Sequence, residues 1–198
     1  LRHGEELSLE EVSEALGVPT AGEFPSWRDL AKHRRHAVER LPEQVAAFVE
    51  EIAVRTEAHA VAGATLTVAV VGVERSSGTT TLAASLANRY AAAGSQVVLI
   101  DADTRDSELT RLFASGSPGI AALLGDPEAD SATRRDRTHS RSNPFSPTSV
   151  AGLSVIGIGD KSQRGAVRRQ NVNEIIGSAS RHAHVVVIDG GPLFDSGA

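Results

Sequence analysis

A loop rich in glycine, serine and threonine is the first segment whose residue types and spacing suit chemistry. Residues 71–82 read VGVERSSGTTTL and overlap the end of an apolar run at 66–71. A strand, a loop of this composition and a helix that opens in three threonines present backbone N–H groups to a phosphate. The residues expected to line this phosphate site are Arg75, Ser76, Ser77, Gly78, Thr79, Thr80 and Thr81.

This loop matches the phosphate-loop pattern G-x-x-x-x-G-K-[ST] only in part. When the pattern is aligned on Gly78, its first glycine falls on Val73 and its lysine on Thr79, whereas Thr80 keeps the hydroxyl that binds magnesium. The same letters are also typical of an ordinary helix N-terminus. The loop alone therefore leaves both interpretations open.

Carboxylates follow two other apolar runs. Asp101 and Asp103 come after the run at 96–100, and Asp189 follows the run at 184–188. In parallel sheets, ligands bind outside the carboxyl ends of the strands. Carboxylates there hold Mg²⁺ or its waters, or position a nucleophile. Together with the loop, these residues predict one site at a single edge of a sheet.

The elements that must position this site alternate between strands and helices. Strands are expected at 66–71, 96–100, 153–158 and 184–188, and helices at 80–93, 106–113, 119–124 and 171–182. Such alternation predicts an α/β fold of three layers, with helices on both faces of a mainly parallel sheet. We expect this domain to span 66–198 and to contain a flexible, arginine- and serine-rich loop at 126–150.

The N-terminal part, 1–65, is expected to be helical. Ser8 and Glu11 form the pattern of a capping box, and Gly17 is expected to end that helix. A second helical region is predicted at 27–60, interrupted at Pro42. Its basic residues at 28–40 form either a solvated face or a patch for anionic lipid or an acidic partner.

Composition excludes several classes of protein. The formal charge of −5 argues against a nucleic-acid-binding protein, and the absence of cysteine excludes disulfides and thiolate metal sites. Two lysines, Lys32 and Lys161, are the only ones in 198 residues, and neither is near the loop. No apolar run approaches the roughly 18–20 residues of a membrane span.

Four segments, in this order, resemble the cytoplasmic domain of bacterial tyrosine kinases (BY-kinases), a family in the MinD/ParA-type branch of the P-loop NTPases. The entry segment is LGVPTAGEFP at 16–25, and the P-loop helix is TTLAASLAN at 80–88. The Walker A′ block is VLIDADTRDSELTRLF at 98–113, and the Walker B segment is VVVIDGGP at 185–192. The resemblance spans nearly the whole chain.

The resemblance implies ATP or ADP and Mg²⁺ as ligands. Thr80, Asp101 and Asp189 would then hold Mg²⁺, and Asp101 and Asp103 would be the catalytic acids. It further implies a membrane-anchored regulator of exopolysaccharide or capsule chain length at the cytoplasmic face of the bacterial inner membrane. Its partners would be polysaccharide-export or polymerase proteins and further copies of itself, and its membrane segments would lie outside this chain, which would also lack the last strands.

Departures from the family pattern predict weak or lost tyrosine autokinase activity. Thr79 replaces the lysine that neutralises phosphate charge, and losing such stabilisation costs on the order of 100–1,000-fold in rate. The only tyrosine, Tyr90, lies within the P-loop helix. Two alternatives stay open: an active ATPase or kinase in which Arg75 compensates, and a non-catalytic localisation protein of the MinD/ParA type.

Overall fold

The computed structural model describes residues 8–22, 43–120, 143–159 and 169–193. After residue 65 they form five strands and three helices, and helices connect most of the strands. In chain order the elements are α1 (Leu9–Leu16), α2 (Glu43–Glu57), β1 (Leu66–Gly72), α3 (Thr79–Ala92), β2 (Val97–Asp101), α4 (Glu108–Phe113), β3 (Ser146–Pro147), β4 (Leu153–Ile156), α5 (Arg169–Ser180) and β5 (Val185–Pro192).

The strands form one sheet in the order β1-β5-β2-β4-β3. Every pairing is parallel except that of β3, which runs antiparallel to β4 at the edge. The mainly parallel α/β sheet expected from the sequence is therefore confirmed. In this register Asp189 pairs with Val70 on one side and with Asp101 on the other. The carboxyl ends of β1, β5 and β2 thus lie side by side.

Apolar side chains alternate between the two faces of the sheet. Val97, Leu99 and Val187 belong to a cluster that includes α2 and α3, whereas Val98 and Val186 belong to a second cluster that includes α5. β2 is buried throughout. Because both of its faces are covered, its sequence shows no alternation of apolar and polar residues. The sheet is therefore the middle layer of three.

The N-terminal helix begins and ends where its sequence predicts. The Ser8 amide donates to Glu11 Oε2 at 2.7 Å, and the Glu11 amide donates to Ser8 Oγ at 3.3 Å. Gly17 ends the helix in the left-handed region, at φ 65°. The segment that follows contacts α2, since Arg55 donates to the Thr20 carbonyl at 3.3 Å. This capping box is confirmed.

The predicted flexible loop at 126–150 is described only from residue 143. There Ser146 and Pro147 form β3 and pair with Val155 and Ser154 of β4. Several predicted features lie outside the described residues. They are the basic stretch at 28–40, both lysines and most of the helix predicted at 119–124. Among the helices that the structure describes, none is long and apolar enough to cross a membrane.

Candidate functional site

The loop between β1 and α3 carries the backbone geometry of an anion site. Gly78 is the residue before α3 and has φ 83°, and Ser76 also has a positive φ of 63°. Gly78 has no side chain to cap α3, so the first N–H groups of the helix depend on other partners. A phosphate is such a partner, because it combines acceptor oxygens with charge opposite to the helix dipole.

The glycine at the start of the loop is Gly72 rather than the position of Val73. A Cβ on Gly72 would overlap the hydroxyls of Ser77 and Thr79. Those two hydroxyls are hydrogen-bonded to each other at 3.0 Å. The close approach that requires glycine therefore lies one residue earlier than the alignment placed it, because the loop is one residue longer than the pattern. Thr79 presents a short neutral hydroxyl at the position of the lysine.

Asp189 lies in the middle of the site and has an unsatisfied oxygen. The residue is fully buried, and its Oδ1 accepts a hydrogen bond from the Gly191 amide at 3.3 Å. Its Oδ2 has no hydrogen-bond partner at bonding distance within the described ranges. Burial raises the pKa of Asp189, whereas the nearby Thr80 hydroxyl favours the ionised form. A buried carboxylate oxygen without a partner fits a cation or an ordered water.

Asp101 is equally buried, but both of its oxygens are engaged. Oδ1 accepts from the Asp103 amide at 3.2 Å, and Oδ2 accepts from the Thr110 amide at 2.7 Å and its hydroxyl at 2.6 Å. Burial raises the pKa of Asp101 to about 6, against the effect of the Thr110 hydrogen bonds and with the help of the neighbouring Asp189 charge. Desolvation of the carboxylate is thus the dominant effect.

Asp103 shapes the turn that leads into α4. Its Oδ1 accepts from the amides of Arg105 at 2.9 Å and Asp106 at 3.2 Å. The side chain also packs against Gly191, where a Cβ would come within 2.7 Å of Asp103 Cγ. Gly191 has φ 66°, so both space and backbone conformation require glycine there.

The residues brought together leave the site negatively charged. Asp101, Asp103 and Asp189 lie at neighbouring strand ends, and the negative charges of Asp103 and Glu108 raise the pKa of Asp189. In the part of the chain that the structure describes, no group of three or more acidic or histidine side chains is arranged to hold a metal ion. Mg²⁺ typically keeps several waters and binds through one or two carboxylates and substrate phosphates, which suits Thr80 and Asp189.

Thr110 is the residue of this region that sequence reasoning missed. Its side chain and amide both donate to Asp101, although nine residues separate the two positions. No local sequence pattern predicts such a contact, because the contact depends on how α4 packs against β2. Arg75, by contrast, was singled out from the sequence, and it is exposed in the loop.

Comparison with known proteins gives structural neighbours. No protein-family profile matches the sequence, and no curated protein matches it. The kinase domain of the Escherichia coli tyrosine kinase ETK is 19% identical, with a TM-score of 0.71 over 94% of this chain and 74% of that chain. The BceF tyrosine kinase domain is 22% identical, with a TM-score of 0.67 over 94% and 76% of the two chains.

A third solved structure, also of a kinase domain, has a similar fold. The VpsO kinase domain is 23% identical, with a TM-score of 0.56 over 78% of this chain and 71% of that chain. At these identities the likeness concerns the fold alone. This chain therefore has the fold of bacterial tyrosine-kinase domains.

Proposed function

We propose that this chain is a nucleotide-binding domain of the bacterial tyrosine-kinase type in which phosphoryl transfer is weak or lost. The observation that carries the proposal is the loop from Gly72 to Thr80. It keeps the close-approach glycine, the left-handed Gly78 and the threonine beside Asp189. Thr79, however, places a neutral hydroxyl where the pattern has a lysine.

Nucleotide binding and phosphoryl transfer depend on different parts of this loop. Backbone N–H groups and the N-terminus of α3 bind phosphate whatever the side chains are. Thr80 and Asp189 would hold Mg²⁺, which neutralises charge on the phosphates. Transfer additionally needs positive charge at the reacting phosphoryl group, since positioning and electrostatic stabilisation supply nearly all of the catalysis. Replacing the lysine therefore affects rate more than binding.

The position of Tyr90 supports a loss of autokinase activity on this chain. It is the only tyrosine in the sequence, and its side chain is 1% exposed. Its hydroxyl is hydrogen-bonded to Thr56 of α2, and burial raises the pKa of this phenol. A phosphoryl group could reach that oxygen only if α2 separated from α3.

The wider role that we propose is regulation of exopolysaccharide or capsule synthesis at the cytoplasmic face of the bacterial inner membrane. Support comes from the entry segment at 16–25 and from the kinase-domain neighbours. Polysaccharide-export or polymerase proteins and further copies of the chain would be its partners. The membrane would be reached through segments outside this chain.

An active enzyme is the second candidate, because Arg75 is exposed in the same loop and carries a positive charge. Arginine delocalises its charge over a planar fork, so it replaces a lysine ammonium poorly. An Arg75→Ala variant that hydrolyses ATP at the same rate as the unmodified chain would remove this candidate. A localisation protein of the MinD/ParA type would bind nucleotide without transferring phosphate to tyrosine in any partner.

Fluorescently labelled ATP provides the direct test. We expect saturable binding that strengthens with Mg²⁺, and no transfer of radiolabel from γ-labelled ATP to this chain. Vigorous autophosphorylation would contradict the weakened-kinase proposal. An absence of binding at millimolar nucleotide would contradict the nucleotide site itself.

A further inference from the structure

A cleft of about 540 Å³ lies at the edge of the sheet opposite the phosphate loop. Thr65, Gln96 and His184 line it, and they directly precede or closely precede β1, β2 and β5, three neighbouring parallel strands. Asp189 lies five positions beyond His184 along β5, roughly 16 Å at about 3.3 Å per residue. The volume is in the range of small-molecule sites. The cleft is therefore separate from the proposed nucleotide site.

Carbonyl groups at the end of α5, beside this cleft, already have hydrogen-bond donors. The last carbonyls of a helix have no partner within it and carry the negative end of its dipole. Here the His182 amide donates to the Ala179 carbonyl at 2.9 Å. The Thr65 hydroxyl lies 3.3 Å from the Ser180 carbonyl oxygen and 3.1 Å from that of Ala183. These acceptors therefore need no cation or further donor from a ligand.

Arg181 also lines the cleft, and the end of α5 holds its guanidinium in place. One Nη donates to the Gly177 carbonyl at 3.2 Å, and the other donates to Ser178 Oγ at 3.2 Å. A guanidinium has five N–H groups, so three remain for a ligand. Its planar fork matches the two oxygens of a carboxylate or a phosphate. Arg181 is thus a fixed positive charge with donors to spare.

His184 supplies a second donor whose position follows from a backbone contact. Its Nδ1 lies 3.2 Å from the Gln96 amide, which donates to it. A neutral imidazole that accepts at one nitrogen carries its proton on the other. The Nε2–H of His184 is therefore the group that is left to donate to a ligand.

The composition of the cleft fits an anion with a polar body. Among the described residues that line it, none is acidic and none has a large aliphatic side chain. Arg181 thus gives it positive charge on a chain whose formal charge is −5. The Gln96 amide and the Thr65 hydroxyl add groups that hydrogen-bond to hydroxyls. A phosphate or carboxylate alone would fill only a small part of the volume.

We propose that this cleft binds a small hydroxylated molecule through one oxyanion group, a phosphate or a carboxylate, held by Arg181 and the Nε2–H of His184. The site does not depend on the proposed nucleotide site, because it uses other residues at the opposite edge of the sheet.

A matched set of three sugars tests the proposal. Glucose 6-phosphate and glucuronate carry a phosphate and a carboxylate on the same ring, and glucose is the neutral control. Binding is followed by the shifts of backbone amide signals in ¹H–¹⁵N NMR spectra. We expect saturable shifts at residues 181–184 and 96 with one or both anions, and the stronger binder identifies the group that the cleft prefers. No saturable shift at 10 mM of either anion, or equal binding of glucose, would overturn the proposal.

The location of the shifts separates this site from the phosphate loop. Shifts confined to residues 72–81 would assign the anion to that loop and would also overturn the proposal. If the chain binds no nucleotide, the same spectra still report on the cleft.

Variants identify the groups that hold the oxyanion. We expect Arg181→Gln to weaken binding by about tenfold or more, and Arg181→Lys, which keeps the charge without the fork, to weaken it less. His184→Asn keeps an acceptor near the position of Nδ1 and removes Nε2–H, so we expect a loss of about fivefold. Arg111→Gln removes one positive charge from α4 and is the control, with a change below about twofold. Equal losses in Arg111→Gln and in the folded Arg181 and His184 variants would mean that net charge, and not this cleft, attracts the anion.

Discussion

The two ends of α3 are built in opposite ways. At its start, Gly78 offers no side-chain cap and Thr79 to Thr81 are only partly buried, next to a buried carboxylate oxygen without a partner. Toward its end, Tyr90 is buried and hydrogen-bonded to Thr56, and Arg89 forms ion pairs with Glu50 and Glu57 of α2. At the end that contacts α2, these polar groups have hydrogen-bond or ion-pair partners. At the other end, the nearby Asp189 Oδ2 has no hydrogen-bond partner among the described residues.

This difference separates the residues that stabilise α3 from those that would bind the proposed nucleotide. The side chains of Thr79 to Thr81 can change type with little loss of folding free energy, because the apolar contacts of α3 lie further along the helix. A domain built this way can lose a catalytic lysine and remain folded.

Removing the buried ring of Tyr90 should have the largest effect. We expect Tyr90→Ala to lower the free energy of unfolding by about 3–5 kcal/mol, because it leaves a cavity between α2 and α3. Denaturant unfolding followed by circular dichroism measures it. Tyr90→Phe, which removes only the hydroxyl, should lose about 1 kcal/mol. A loss below 1 kcal/mol for Tyr90→Ala would mean that this end of α3 does not anchor the fold.

Restoring the lysine tests the opposite end. We expect Thr79→Lys to raise the rate of ATP hydrolysis or phosphoryl transfer on the order of 100-fold, equivalent to about 2.7 kcal/mol of transition-state stabilisation. Its Tm should stay close to that of the unmodified chain. Thr79→Gln, a long side chain without charge, is the control. Equal rates for the two variants would show that positive charge at position 79 is not what the loop lacks.

Stability should depend on pH through Asp101. Its pKa in the folded chain is about 6, above its ordinary value of 3.8, so the folded state binds more protons than the unfolded state between these values. Stability from this residue is therefore present below about pH 4 and is lost as pH rises to about 6. We expect Asp101→Asn to gain roughly 1–3 kcal/mol relative to the unmodified chain across that interval, measured by denaturant unfolding. A difference that does not vary with pH would contradict the raised pKa.

Ion pairs of Arg89 should contribute least. Glu50 and Glu57 are about half exposed, so solvent and salt screen their attraction to Arg89. We expect Arg89→Gln to lower Tm by roughly 2–4 °C at low salt and by less in 1 M salt. Arg111→Gln removes a more exposed ion pair with Asp106 and should leave Tm nearly unchanged. Identical changes in Tm for both variants would mean that the ion pairs of Arg89 between α2 and α3 stabilise the fold no more than an exposed ion pair does.

Periodicity and apolar runs predicted most of the sheet. Four strands were expected close to where β1, β2, β4 and β5 lie, because strands buried on both faces leave long stretches of Val, Ile and Leu. Adjacent carboxyl ends follow from parallel pairing, so Asp101 and Asp189 could be placed together from the sequence. The capping box at Ser8 is local chemistry and was equally accessible.

Contacts between distant segments were not predictable. β3 forms in a Ser/Pro-rich stretch whose composition suggests a loop, because the exposed edge of β4 supplies its hydrogen bonds. The hydrogen bond from Thr110 to Asp101 depends on how α4 packs against β2. The need for glycine at position 72 depends on a loop that is one residue longer than the pattern. In each case the decisive partner lies outside the window over which local propensity acts.

The contact between Arg55 and the Thr20 carbonyl has a mechanical consequence. It fastens the segment after α1 to α2, and Gly22 lies against the ring of Phe48 on the same helix. A displacement of α1 would therefore be transmitted to α2 through this contact. Because α2 is joined to α3 through Tyr90 and Arg89, that displacement would reach the helix that begins after Gly78. The movement of α1 and the proposed nucleotide would then act on opposite ends of the same helix, α3.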